Sequence, residues 1–207
     1  MEPGGHRYRP IATMVVDDAM SLNVARFAAL FEDHQRQVLA YALRRTTDRS
    51  DAEDAASETF AIAWRRIADV PVEPLPWLYG VARRVLANQR RGNGRRLRLV
   101  WRVDHDVPTP ERSGEDADTP AVTILARLSS ADQEVLRLVA WEDLSNDQVA
   151  VVLGITSNAA AIRLHRARRR FIATFEATPG LKGSGPGRTS LERTALQGAA
   201  LEGVGDD

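Results

Sequence analysis

Residues Val103 to Pro120, VDHDVPTPERSGEDADTP, divide the chain. They hold Asp104, Asp106, Glu111, Glu115, Asp116 and Asp118 against the single base Arg112, and three prolines and a glycine interrupt them. Proline removes a backbone donor and like charges repel, so neither a helix nor a strand can run through this stretch. It reads as a flexible acidic linker over residues 99–121. On either side, apolar residues recur at helical spacing without convincing strand alternation. The expected fold is therefore all-α, with two small helical domains, 22–98 and 122–176, on a tether. A flexible N-terminal arm is expected over 1–21. The tail from 177 to 207 is rich in glycine and small residues and reads as disordered.

The second domain carries the clearest pattern, LSNDQVAVVLGITSNAAAIRLHRARRRF, from Leu144 to Phe171. A first helix is expected from Asn146 to Leu153, burying Val149, Ala150 and Leu153. Gly154 follows, where a chain leaving a helix favours positive φ. Thr156 can cap a second helix that runs to about Phe171. Its inward stripe is Ala160, Leu164, Ala167 and Phe171, spaced four, three, four. Arg163, Arg166, Arg168, Arg169 and Arg170 fall mostly off that stripe, and no acid lies among them. This is a helix-turn-helix, whose second helix suits a DNA major groove. The competing reading is a solvated arginine-rich helix on a plain bundle.

The first domain holds another basic helix, expected from Pro76 to Arg91. Trp77, Leu78, Val81 and Val85 are its apolar face, and Arg83, Arg84, Arg90 and Arg91 lie outside it. Before it, Ala68 to Leu75 contains two prolines and is stiff enough to wall a pocket. Upstream, in Ser50 to Ile67, the buried stripe is Ala52, Ala56, Phe60, Ala63, Trp64 and Ile67. Asp54, Ser57, Glu58, Ala61 and Arg65 form the opposite face, which DNA would repel and a protein partner would not. Three helix starts have capping-box spacing: Ser50 to Glu53, Ser130 to Gln133 and Ser145 to Gln148.

Bulk properties exclude several classes. The 207 residues carry 28 basic and 28 acidic side chains, so any electrostatic function must come from local segregation of charge. No cysteine is present, which removes disulfide and thiolate-metal frameworks. No apolar run approaches the ~18 residues of a membrane span. Asp17 and Asp18 interrupt any leader-like stretch, and Met14 or Met20 are alternative starts. Walker-type GxxxxGK[ST], HExxH and G-x-S-x-G patterns are absent. His6, His34, His105 and His165 are scattered in sequence and read as surface residues rather than ligands. Gly92 to Gly94 and the glycines from Gly183 to Gly187 read as linker. Neither enzymatic activity nor a cofactor or metal is expected.

Taken together, DAEDAASETF, PWLYGVARRVLANQRR and LSSADQEVLRLVAWEDLSNDQVAVVLG…RLHRARRRF resemble a bacterial RNA polymerase sigma factor of the extracytoplasmic-function type. The resemblance covers roughly Ala25 to Phe175 and includes both domains in order. It implies a cytoplasmic, nucleoid-associated protein that binds core RNA polymerase through its β and β′ subunits, binds promoter DNA, and directs melting and transcription initiation. It also admits an anti-sigma factor as partner. Asp51, Asp54, Ser57, Glu58, Ala61 and Arg65 would then face the β′ clamp helices. Arg83, Arg84, Asn88 and Arg91 would meet the minus-10 element. Ser157, Asn158, Ala161, Ile162, Arg163, His165, Arg166 and Arg170 would meet the minus-35 element, with the linker running toward the RNA exit channel. The chain departs from the family where Ser57 replaces a common Gln and where Ala161 and Ile162 replace polar residues. A stand-alone helix-turn-helix regulator is the alternative.

Overall fold

The computed structural model describes residues 11–100 and 120–178, and among these it contains seven α-helices and no strand. The acidic stretch 101–119, the tail from 179 and the first ten residues lie outside the described part.

Helix α1 spans Ile11–Leu43, so the second half of the expected arm is helical instead. The helix begins directly after Pro10, and no glycine or proline follows until Pro71, so nothing local stops it. Helix α2 spans Arg49–Arg65. Its cap is Asp48, whose carboxylate accepts from the Ser50 amide at 2.8 Å, so the box expected at Ser50 does not form. A 3-10 turn at Ile67–Asp69 leads to helix α3, Pro74–Val100. Pro74 rather than Pro76 opens α3, as a proline can in a first turn. The helix continues past Arg91 through Gly92 and Gly94, so that pair is not a linker. Isolated glycines cost a helix only about 1 kcal/mol each, and good helix formers flank these two.

In the second domain, α4 is Pro120–Arg127 and α5 is Ser130–Ala140. The cap of α5 is Ser129, one residue before the expected Ser130, and its Oγ accepts from the Asp132 amide at 3.2 Å. Helix α6 is Asn146–Leu153, with both halves of the Ser145–Gln148 capping box present. Gly154 has φ 66°, the left-handed conformation that favours glycine, and helix α7 spans Ser157–Glu176.

Leu30, Val38, Phe60, Leu78 and Val85 are buried in the first domain; Ile124, Leu136, Val149, Leu164 and Phe171 are buried in the second. The two sets are continuous, because α3 packs directly on α6. At the crossing, a Cβ on Gly80 would sit 3.4 Å from the Val152 carbonyl oxygen and 3.6 Å from its Cα. The absence of a side chain there lets the two helix backbones approach closely.

Candidate nucleic-acid and protein interfaces

Helix α7 buries Ala160, Leu164, Ala167 and Phe171, the expected stripe. On α6, Val149 and Ala150 are buried as expected, but Val152 takes the place of Leu153, which is half-buried. Thr156 caps α7 by accepting from the Ala159 amide at 3.2 Å. Ser157, Asn158, Ile162, Arg163, His165 and Arg166 are exposed along one helix, with Ala161 half-buried among them. Arg170 is exposed as well, but it is tied to α5: its Nη1 donates to both carboxylate oxygens of buried Asp132 at 2.9 Å. An acid 38 residues away in sequence therefore compensates one of the five arginines, which the local pattern could not show.

On α3, Leu78, Val81 and Val85 are buried and Trp77 is half-buried against the core. Arg83, Arg84, Asn88 and Arg91 are exposed together, and Arg91 donates to the Asn88 side-chain oxygen. They line one wall of a cleft of about 710 Å³, which Arg137 of α5 and Arg163 of α7 also line. Eight arginines and the single carboxylate of Glu134 face this cleft. No carboxylate pairs with Arg83, Arg84, Arg163 or Arg166 among the described residues. Such a surface suits phosphates, because the planar guanidinium matches their oxygens bidentately.

The loop ahead of α3 is held from below. Val70 is buried and its carbonyl oxygen accepts from Arg26 Nη2 of α1 at 2.5 Å, while Val72 projects fully into solvent. Sequence reading missed Arg26 because it lies 44 residues upstream in an unremarkable turn of α1.

Helix α2 presents Asp54, Ser57, Glu58 and Arg65 to solvent, with Asp51 and Ala61 half-buried. Arg65 donates to Glu58 at 3.0 Å. Trp64 does not join the buried stripe: it is 37% exposed and packs on Phe27 of α1 in an edge-type arrangement, with ring centroids 5.3 Å apart. Phe31, 40% exposed, packs on Phe60 at 4.9 Å. The acidic face therefore adjoins an accessible aromatic cluster, the mixture expected of a protein-binding surface.

A second charged group lies inside the molecule. Arg45, in the turn that follows α1, is 8% exposed and donates to Glu134 at 3.1 Å and to Glu142 at 2.9 Å. Arg44 also pairs with Glu142. Tyr41 stacks on Tyr79 with centroids 4.7 Å apart, carries the Arg45 guanidinium 3.5 Å over its ring, and donates to Glu134 at 2.9 Å. Burial opposes the charge on Arg45, but Tyr41, Glu134 and Glu142 more than offset it and hold the group above its ordinary value. Burial also raises both phenols, that of Tyr79 to about 12, with Glu142 adding to the shift. Among the described residues no cluster of histidines and acids could hold a metal, and no helix is long and apolar enough to cross a membrane.

Residues 30–96 match the Sigma-70 region 2 model, and residues 121–171 match the Sigma-70 region 4 model. The ECF RNA polymerase sigma factor SigL of Mycobacterium tuberculosis (strain ATCC 25618 / H37Rv) is 32% identical over 170 residues, covering 78% of this chain and 95% of SigL. The chain belongs to the extracytoplasmic-function sigma factors. As a sigma factor it directs promoter-specific initiation by RNA polymerase, with α1 to α3 carrying region 2 and α4 to α7 region 4. Among other relatives, BldN of Streptomyces coelicolor (strain ATCC BAA-471 / A3(2) / M145), an ECF RNA polymerase sigma factor, is 28% identical over 75% of this chain and 62% of its own. The fold is shared with the sigma factor RpoE bound to the anti-sigma factor NepR from Bartonella quintana, at TM-score 0.56 and 21% identity over 73% of this chain and 97% of that one. It is also shared with CnrH bound to the cytosolic domain of CnrY, at TM-score 0.50 and 24% identity over 73% and 88%.

Proposed function

We propose that this sigma factor divides its work among three surfaces. The acidic and aromatic face of α2, with Asp51, Asp54, Ser57, Glu58, Ala61 and Arg65, docks on the β′ subunit of core polymerase. Arg83, Arg84, Asn88 and Arg91 of α3 track the minus-10 strand, and the loop held by Arg26 receives a base flipped out of the duplex. On α7, Arg163 grips the backbone. Ala161, Ile162, His165 and Arg166 approach base edges, with Ser157 and Asn158 at the helix start. Arg170 is positioned to brace α7 through Asp132 rather than to read bases. The protein acts without chemistry of its own, in the cytoplasm at the nucleoid. An anti-sigma factor is a fitting regulator, since one structural neighbour is bound to an anti-sigma factor and the other to the cytosolic domain of CnrY.

The observation that supports this division is the segregation of charge. Two helices from different domains present arginines without carboxylate partners, while the exposed acids of α2 form a separate face. A chain with no net charge acquires a DNA-binding surface only in this way. The test is transcription in vitro with core enzyme on a genomic library, with start sites mapped. Starts sharing an upstream sequence support the assignment. Initiation no different from that of core enzyme alone overturns it.

A further inference from the structure

The cleft of about 710 Å³ is lined by eight arginines, yet only part of its wall belongs to the helices assigned to DNA. Thr47 stands in the turn before α2, and Ser130, Gln133 and Arg137 stand on α5. The volume equals a cube roughly 9 Å on a side, whereas the major groove of a duplex is already ~12 Å wide. A double helix can touch the rim of such a space but cannot fill it. A compact ligand can, because small-molecule sites are commonly of this size.

The charge in the cleft is positioned but not neutralised. Arg90 Nη2 donates to the backbone carbonyl of Arg45, and Arg91 donates to the Asn88 side-chain oxygen. Both acceptors are neutral, so they hold two guanidinium groups in place and leave their charge intact. Arg83, Arg84 and Arg163 have no carboxylate partner among the described residues either. Glu134, the one acid at the cleft, is already engaged by Arg45 and Tyr41. Uncompensated arginines from α3 and α7 therefore share one space, and a polyvalent anion would relieve their repulsion.

We propose that this cleft binds a small molecule carrying linked phosphates, a triphosphate in size and charge. A single phosphate has oxygens for two or three guanidinium groups, so a row of phosphates is needed to meet all of these. A triphosphate brings about four negative charges, close to the number of arginines left without an acid. Planar guanidinium groups take phosphate oxygens in pairs, and Thr47 and Ser130 add hydroxyl donors at the rim. Ala87 and Leu153 supply apolar lining, so the phosphates can be borne by a nucleoside or stand alone. The ligand occupies Arg83, Arg84 and Arg163. On the reading that these residues contact promoter DNA, it competes with DNA and holds initiation back when it is abundant.

The test is isothermal titration of the free full-length chain at physiological salt with sodium tripolyphosphate, ATP, citrate and a short oligothymidylate. Tripolyphosphate should bind one per chain, about tenfold or more tighter than citrate, whose carboxylates carry charge on a different frame. Equal affinity for ATP assigns recognition to the phosphates alone, and tighter ATP adds the base. Thr47→Glu sets an acid at the exposed rim without removing an arginine, and should weaken tripolyphosphate by about tenfold. Arg49→Gln, outside the cleft and exposed, should bind like the natural chain. Circular dichroism checks that both variants fold, and Arg137→Gln replaces Thr47→Glu if the latter does not. Citrate as tight as tripolyphosphate, several weak sites, or unchanged affinity in the folded cleft variant would overturn the proposal. Tighter binding of oligothymidylate would do so too, by assigning the cleft to a nucleic-acid strand. Tripolyphosphate should also release a fluorescent DNA duplex from the chain. Binding without release leaves the anion site standing and removes Arg83, Arg84 and Arg163 from the DNA contacts instead.

Discussion

Arg163 and Arg166 lie three residues apart on one helix, both exposed, yet different roles are expected of them. Arg166→Ala should cost about 1–3 kcal/mol on the preferred minus-35 sequence and relax one base position. Arg163→Ala should weaken every sequence alike and lower the salt slope by about one unit. Binding to a randomised duplex library at several salt concentrations separates the two, and uniform losses in both variants would make α7 a nonspecific phosphate clamp. Tyr79 supplies a test by pH. Its folded value near 12 lies above the ordinary value of about 10, so the stability it contributes is complete below pH 10 and is lost as pH rises toward 12. Titration of the phenolate absorbance should show Tyr79 ionising late, and denaturation should bring it back to the ordinary value. Gly154→Ala should destabilise the second domain by about 1–2 kcal/mol in thermal unfolding, because φ 66° strains any residue with a Cβ. Gly154 and the Thr156 cap were legible because their partners lie within a few residues. Asp132 and Arg26 were not, since each acts on a group about forty residues away, and no local pattern encodes that distance.

Among the elements, α2 was read correctly in its middle turns and missed at both ends, where Asp48 rather than Ser50 caps it and Trp64 stays exposed. A stripe argument treats Trp64 like any apolar residue at the right spacing, but here its edge-type contact with Phe27 leaves it 37% exposed. That exposure places an aromatic beside the acidic face and sharpens the expectation for polymerase binding. Reversing Asp54 and Glu58 to Lys should abolish holoenzyme assembly without loss of helicity, since neither side chain is buried. Single alanine changes should be mild, because a surface ion pair contributes only ~0.2–1 kcal/mol. Gel filtration with core enzyme measures both, and undiminished assembly by the double reversal would remove this face from the interface. For α3, sequence reading placed the apolar and basic faces correctly and misjudged both ends. Proline can open a helix as well as precede one, and two glycines weaken a helix without ending it. Pro74 and Pro76 stand in the first turn of α3, directly after the loop held by Arg26. Replacing both with Gly should depress open-complex formation more than closed-complex binding, as permanganate footprinting would show; equal losses would argue against a base pocket there.

At the scale of the whole molecule, two helical domains were legible from the acidic break between them, but their mutual packing was not. Tyr41, Arg44, Arg45, Glu134 and Glu142 belong to no motif or periodic stripe in the sequence that would mark them as partners. Only the fold brings them together, across about ninety residues of sequence that includes the stretch least able to form regular structure. Gly80 concentrates that packing in a single position. Alanine fits at this position, since 3.4 Å to the Val152 carbonyl is ordinary contact, whereas leucine would have to displace the α6 backbone. One bare α-carbon thus sets how closely the backbones of the two domains can approach. Gly80→Leu should lower the thermal midpoint of the whole chain and speed amide exchange along α6, with Gly80→Ala close to the natural protein in both measurements.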